Sequence, residues 1–87
     1  MTEDRQTRLK RLHMRSMRRG IKEMDIILSR YAEARLAHLD AAQLDDYDAL
    51  LSENDQDLYQ WVTGQVPAPH RFTALLADIS DTALAPK

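Results

Sequence analysis

The sequence predicts an all-α fold, a small single-domain bundle of five helices, and three observations carry that expectation. Apolar residues recur at helical spacing and nowhere alternate with period two over a sustained stretch. Start and stop residues divide the 87-residue chain into short helical segments. The connections between those segments are short, with no linker, repeat or low-complexity run, so the segments must bury their apolar faces against one another.

The first helix is expected over about 3–19, with Leu9, Leu12, His13 and Met17 on or near one face. The second, over about 21–38, places Met24, Ile27, Leu28 and Tyr31 at i, i+3, i+4 and i+7, with Lys22, Asp25 and Ser29 on its polar side. Asp40 then offers an N-cap, Gln43 the reciprocal partner three residues on, and Leu39 with Leu44 a hydrophobic staple. The third helix turns Leu44, Tyr47, Leu50 and Leu51 inward. Asn54 begins the fourth, with Asp55 and Asp57 in an acidic first turn; it buries Leu58, Trp61 and Val62 and stops at Gly64. Pro67 and Pro69 forbid continuation, after which Phe72, Leu75, Leu76 and Ile79 define the fifth. Residues 1–87 read as one domain with its core over about 5–80 and a frayed tail from Asp81 to Lys87.

Composition narrows the chemistry. The absence of cysteine excludes disulfides, thiolate metal sites and a cysteine nucleophile. No apolar run approaches the roughly 20 residues of a membrane span, and no signal-peptide pattern appears, so no membrane insertion is expected. The net charge of −2 conceals an asymmetry. Residues 1–22 carry eight basic against two acidic side chains, a net +6, and residues 23–87 carry four basic against twelve acidic, a net −8. A basic first helix suits phosphate, acidic lipid, an acidic protein surface or simply solvent, and it resembles the opening of a mitochondrial transit peptide, although Leu9 and Leu12 follow with little room for a removable segment.

Catalytic constellations are poor. His13, His38 and His70 have no ligand spacing, so no metal is expected, and Asp45, Asp46 and Asp48 lack the glycine and terminal glutamate of a calcium loop and read as a solvated helix face. The serines have no glycine-flanked elbow, and Gly20 and Gly64 stand alone rather than in a phosphate loop. Two readings compete weakly: a nucleic-acid-binding module using the basic first helix, against which the acidic remainder argues, and an acid–base enzyme using Glu23 with His13, for which so short a chain offers no pocket.

The informative stretch is Arg18-Arg19-Gly20-Ile21-Lys22-Glu23-Met24-Asp25, at the junction of the first two helices. A glycine costs about 1 kcal/mol in a helix interior, so Gly20 implies either a left-handed backbone or a close approach by another group. Helix capping accounts for the charges, with Arg18 and Arg19 at the negative end of the first helix and Glu23 and Asp25 at the positive start of the second. It leaves their density unexplained, and some of this polar surface is open to a partner.

Arg19-Gly20-Ile21-Lys22-Glu23 resembles the R-G-x-x-E motif of the succinate dehydrogenase assembly factors of the SdhE type, or flavinators. Arg18 and Met24-Asp25 fit the wider motif, and Asp55-Gln56-Asp57-Leu58-Tyr59-Gln60-Trp61 resembles that family's later D-x-D-L-[FY]-x-W segment. The resemblance implies a helical protein that binds the flavoprotein subunit of succinate dehydrogenase, or of fumarate reductase, and promotes covalent attachment of FAD to it. With no phosphate loop and poor catalytic constellations, this chain is expected to hold no FAD of its own and no catalytic residue, to bind no nucleic acid and to be a monomer when free. Arg19, Gly20 and Glu23 would be the principal partner-binding residues, Arg19 donating to the partner's carboxylates or carbonyls, Glu23 accepting or holding Arg19, and Gly20 admitting the partner's backbone. Arg18, Lys22 and Asp25 would support them. Because the domain pattern begins almost at the first residue, the expected compartment is the bacterial cytoplasm rather than the mitochondrial matrix.

Overall fold

Capping chemistry sets where each helix begins in the computed structural model, which describes residues 3–84. The helices are α1 (Arg5–Arg15), α2 (Lys22–Arg35), α3 (Ala41–Leu51), α4 (Asp55–Val62) and α5 (Thr73–Ile79), with 3-10 turns at Leu36–His38 and His70–Phe72 and a π-helical turn at Ser80–Leu84. Asp4 caps α1 by accepting from the Thr7 amide at 2.7 Å. Asp40 and Gln43 form the predicted reciprocal capping box on α3, at 2.8 and 2.9 Å. Asn54 accepts from the Gln56 amide at 2.8 Å to start α4, and Gly64, left-handed with φ 78°, follows its end. The all-α, five-helix architecture is the one predicted.

Helix α2 supplies the centre of the core. Its Met24, Leu28 and Tyr31 are fully buried among Leu12 of α1, Leu44, Tyr47 and Leu50 of α3, Leu58 of α4 and Ile79 of α5. Each such side chain withdrawn from water contributes about 1.5–3 kcal/mol. The Tyr31 and Tyr47 rings meet at 5.6 Å with a 43° tilt. Ser16, just past α1, is buried and held by the Leu12 carbonyl at 2.8 Å and by the Tyr47 hydroxyl.

Four expectations are corrected. Helix α1 ends at Arg15 rather than near Arg19, because the Ser16 side chain bonds back into the last turn and the chain then bends. Met17 consequently leaves the helical face and is 46% exposed. Trp61 is only partly buried, stacked on Phe72 with ring centroids 6.2 Å apart, so it flanks the core rather than filling it. Asp81 to Leu84 do not fray: they belong to the π-helical turn, which packs on α2 and buries Ala83. The rest of the expected tail, residues 85–87, lies outside the described residues.

The acidic face of α3 is partly solvated, as expected, and is also ion-paired. Asp48 pairs with Arg11 and Arg15, Asp45 with Arg8, and Asp46 with Arg71 at 3.0 Å. Arg5 donates to the carbonyls of Ala37 and Leu39 at 2.9 and 2.8 Å, tying the start of α1 to the turn before α3. The basic stripe of α1 is therefore largely consumed within the fold.

Candidate docking site at the junction of α1 and α2

Three helix ends converge beneath the loop that joins α1 to α2, and Arg19 joins them. Its Nη1 donates to the carbonyl of Arg15, the last residue of α1, at 3.0 Å, and its Nη2 to that of Leu51, the last of α3, at 3.1 Å. Its Nε donates to Asp55 Oδ1, in the first residue of α4, at 2.7 Å. A cation thus sits at two negative helix ends and a carboxylate at one positive end, the arrangement helix dipoles favour. With 12% of the Arg19 side chain and 18% of Asp55 exposed, the pair is well shielded from water.

The second oxygen of Asp55 accepts from the Gly20 amide at 2.7 Å. A Cβ placed on Gly20 would lie 3.1 Å from that oxygen. Gly20 thus stands at a close approach rather than in a left-handed backbone, and the approaching group is the chain's own Asp55. The left-handed residue of the loop is Arg18, with φ 56°, and its amide donates to Asp25 Oδ2 at 3.1 Å. Ser29 Oγ donates to the other oxygen of Asp25 at 3.3 Å. Two carboxylates, one from α2 and one from α4, thereby hold two amides of a single loop.

These contacts sort the six sequence-predicted residues. Arg19 faces inward and is bonded within the chain, and Asp25 is a half-buried acceptor for the loop. Arg18, Gly20, Lys22 and Glu23 are exposed, and among the described residues the side chains of Arg18, Lys22 and Glu23 make no hydrogen bond or ion pair. Glu23 does not hold Arg19, since the helix does not run through the junction and Asp55 takes that place. Shallow recesses flank Gly20, one lined by Met17, Arg18, Arg19 and Asp55, the other by Ile21, Asn54 and Gln56. Sequence reasoning missed Met17 and Asp55 as parts of this site. Asp55 carries a signal only in hindsight: it opens the second of the two quoted segments, and the fold brings the two segments into contact through it.

Nearby ionisable groups respond to the same packing. Burial pushes the Tyr47 hydroxyl up to about 12, and the hydrogen bond from Arg11 holds the Asp48 carboxyl below its ordinary value. No group of three or more His, Asp or Glu side chains is placed to hold a metal ion among the described residues, and no helix there is long and apolar enough to cross a membrane. The arrangement offers a shaped, charged surface whose loop backbone is held by two carboxylates.

Residues 10–83 match the model of a family described as flavinator of succinate dehydrogenase. Similar proteins include three named succinate dehydrogenase assembly factor 2, mitochondrial. That of Meyerozyma guilliermondii is 45% identical over 73 residues, covering 80% of this chain and 54% of the relative. That of Mycosarcoma maydis is 39% identical over 71 residues, covering 82% of this chain and 30% of the relative. In Yarrowia lipolytica the figures are 40% over 73 residues, 80% and 50%. The chain thus spans between 30% and 54% of the length of these relatives. Their names, mitochondrial in each case and all from fungi, overturn the expectation of a bacterial cytoplasmic location.

Proposed function

The chain belongs to the succinate dehydrogenase flavinator family, and from that membership we propose that it is an assembly factor that binds the flavoprotein subunit of succinate dehydrogenase and promotes covalent attachment of FAD to that subunit. The observation that carries the reading is the family match over residues 10–83, within which both quoted motif segments fall. It is supported by the meeting of those segments at one exposed loop, where Gly20, Arg18, Lys22 and Glu23 face solvent beside Met17.

In this reading the chain acts by docking and holds no FAD of its own. The partner binds FAD and supplies the group that becomes bonded to it, and the bound assembly factor stabilises the partner conformation in which the two are aligned, a proximity effect. Gly20 offers a backbone without a side chain, Glu23 accepts from partner donors, Arg18 and Lys22 meet partner acceptors, and Met17 supplies an adaptable apolar contact. Arg19 and Asp25 keep that surface in shape from beneath. A fumarate reductase flavoprotein is a second client class, and the free chain is monomeric.

The test is direct. The flavoprotein subunit is produced with and without this chain, denatured, and separated on a gel, where covalent flavin stays with the polypeptide and fluoresces while merely bound flavin is lost. Co-production should raise covalent flavin severalfold. Equal fluorescence in both samples, with the two proteins failing to co-purify, would remove the proposal.

A further inference from the structure

We infer that Asp55 is the positioning residue of the docking loop, the group that sets the shape in which residues 18–23 meet the partner. The inference rests on the reading of that loop as the docking surface. Asp55 opens α4, yet its carboxylate does not cap that helix, because the cap is made by Asn54 on the Gln56 amide. Both oxygens instead cross to the loop, one to Arg19 Nε and one to the Gly20 amide, each at 2.7 Å. Asp57, the other acid of the same turn, is exposed and makes no hydrogen bond among the described residues, so a first-turn acid alone does not create this contact.

The loop needs such a holder. Arg18 is left-handed, a conformation that a side chain disfavours, and Gly20 has the wide conformational freedom of glycine. Asp25 fixes the Arg18 amide, but it sits on α2, next to the loop in sequence. Asp55 ties a backbone amide of the loop to a distant element, 35 residues away, whereas the Leu51 carbonyl holds only the Arg19 side chain. Without it the loop would sample several shapes, and association would first have to select the competent one, raising the concentration needed without changing what happens once bound.

The experiment measures covalent flavin formation on the purified flavoprotein subunit with FAD, as a function of the concentration of the 87-residue chain. Asp55→Asn, which keeps the size but supplies one acceptor where two are needed, should remain folded by circular dichroism. It should raise the half-maximal concentration about tenfold, the ratio expected for loss of one charge-assisted hydrogen bond, while the rate at saturation stays within about twofold. Combined with Arg19→Ala it should be no worse than the more impaired single variant, because both act through one contact. Ile79→Val, a mild core change far from the loop, provides the stability control and should leave the half-maximal concentration unaltered. Should Asp55→Asn fold poorly, Asp55→Glu, which keeps the charge but displaces the carboxylate by one methylene, should give the same rise. A folded Asp55 variant with a wild-type half-maximal concentration, or a rise matched by Ile79→Val at equal loss of melting temperature, overturns the positioning role and leaves the functional reading standing. A wild-type chain that neither binds the subunit nor raises its covalent flavin removes both.

Discussion

Arg19 and Glu23 lie four positions apart and meet different surroundings. Arg19 spends its guanidinium on Asp55 and on the carbonyls of Arg15 and Leu51, all inside the fold. Glu23 stands exposed in the first turn of α2. Removing each should therefore have a different signature. Arg19→Ala leaves a shielded carboxylate without its cation and two helix ends without their donor, at a cost of about 2 kcal/mol. In a domain of this size that lowers the melting midpoint by about 10 °C. Glu23→Ala forfeits only a favourable dipole interaction, at most about 1 kcal/mol, but, if Glu23 contacts the partner as proposed, should weaken flavoprotein binding by more than about 1 kcal/mol. Calorimetry of the two variants and a binding titration with the subunit separate these outcomes, and an Arg19→Ala protein that melts like the wild type would return Arg19 to the partner surface. At this scale the sequence identified the stretch but not the direction in which each side chain points. The charges of Arg19 and Asp55 are local text, whereas their meeting across 36 positions follows from the packing of α1, α3 and α4.

At the scale of elements, caps and periodicity were readable because both are local. Asp40 with Gln43, Asn54 and Gly64 mark the ends they were expected to mark, and Met24, Ile27, Leu28 and Tyr31 of α2 all point into the core. Where tertiary contact decides, local pattern failed. The periodicity of α1 carried it through Met17, but the buried bond between Ser16 and Tyr47 ends it sooner. The terminal position of the segment from Asp81 on suggested fraying, but α2 offers Ala83 a place to be buried. Ending the chain after Ser80 should consequently destabilise it. The loss includes the burial of Ala83 and the partial cover that Leu84 gives a groove also lined by Ile26, Ile27 and Tyr59. That apolar area corresponds to about 1–2 kcal/mol. Urea unfolding of the shortened chain should show a lower midpoint with little change in slope. An unaltered midpoint would mean that the turn contributes nothing to the fold.

Over the whole molecule, the two oppositely charged stretches of sequence fold onto each other. Read linearly, a net +6 over residues 1–22 and −8 over 23–87 suggested a polar object with a basic end open to phosphate. Folded, Arg8, Arg11 and Arg15 lie against Asp45 and Asp48, and little of that basic stripe remains for a nucleic acid. Sequence counts charges but not their neighbours, so the polarity was visible and its internal neutralisation was not. The neutralisation should itself be visible in the pH dependence of stability. Asp48 is held below its ordinary value first by its hydrogen bond from Arg11, Glu3 by the same arginine, and Asp4 by the Thr7 amide. A carboxyl whose folded value is depressed contributes its full stability above the unfolded value, about 4. It loses that contribution as the pH falls through the folded value. Tyr47 behaves in the opposite sense, being pushed up to about 12 by burial, and Tyr31 is raised by burial and by its hydrogen bond to Asp78. Their contribution is complete below the unfolded tyrosine value of about 10 and disappears as the pH rises through the folded value. The melting midpoint should therefore be flat between about pH 5 and 9 and fall on both sides. Asp48→Asn should lower the neutral plateau and flatten the acid limb, because the variant has no carboxyl there to protonate. Tyr47→Phe should flatten the alkaline limb, although its plateau also drops when Ser16 loses the hydroxyl that accompanies it in the core. Melting curves from pH 2 to 11 for the three proteins decide the matter. Parallel acid limbs in the wild type and Asp48→Asn would show that the α1–α3 ion pairs are not what holds the basic helix in place.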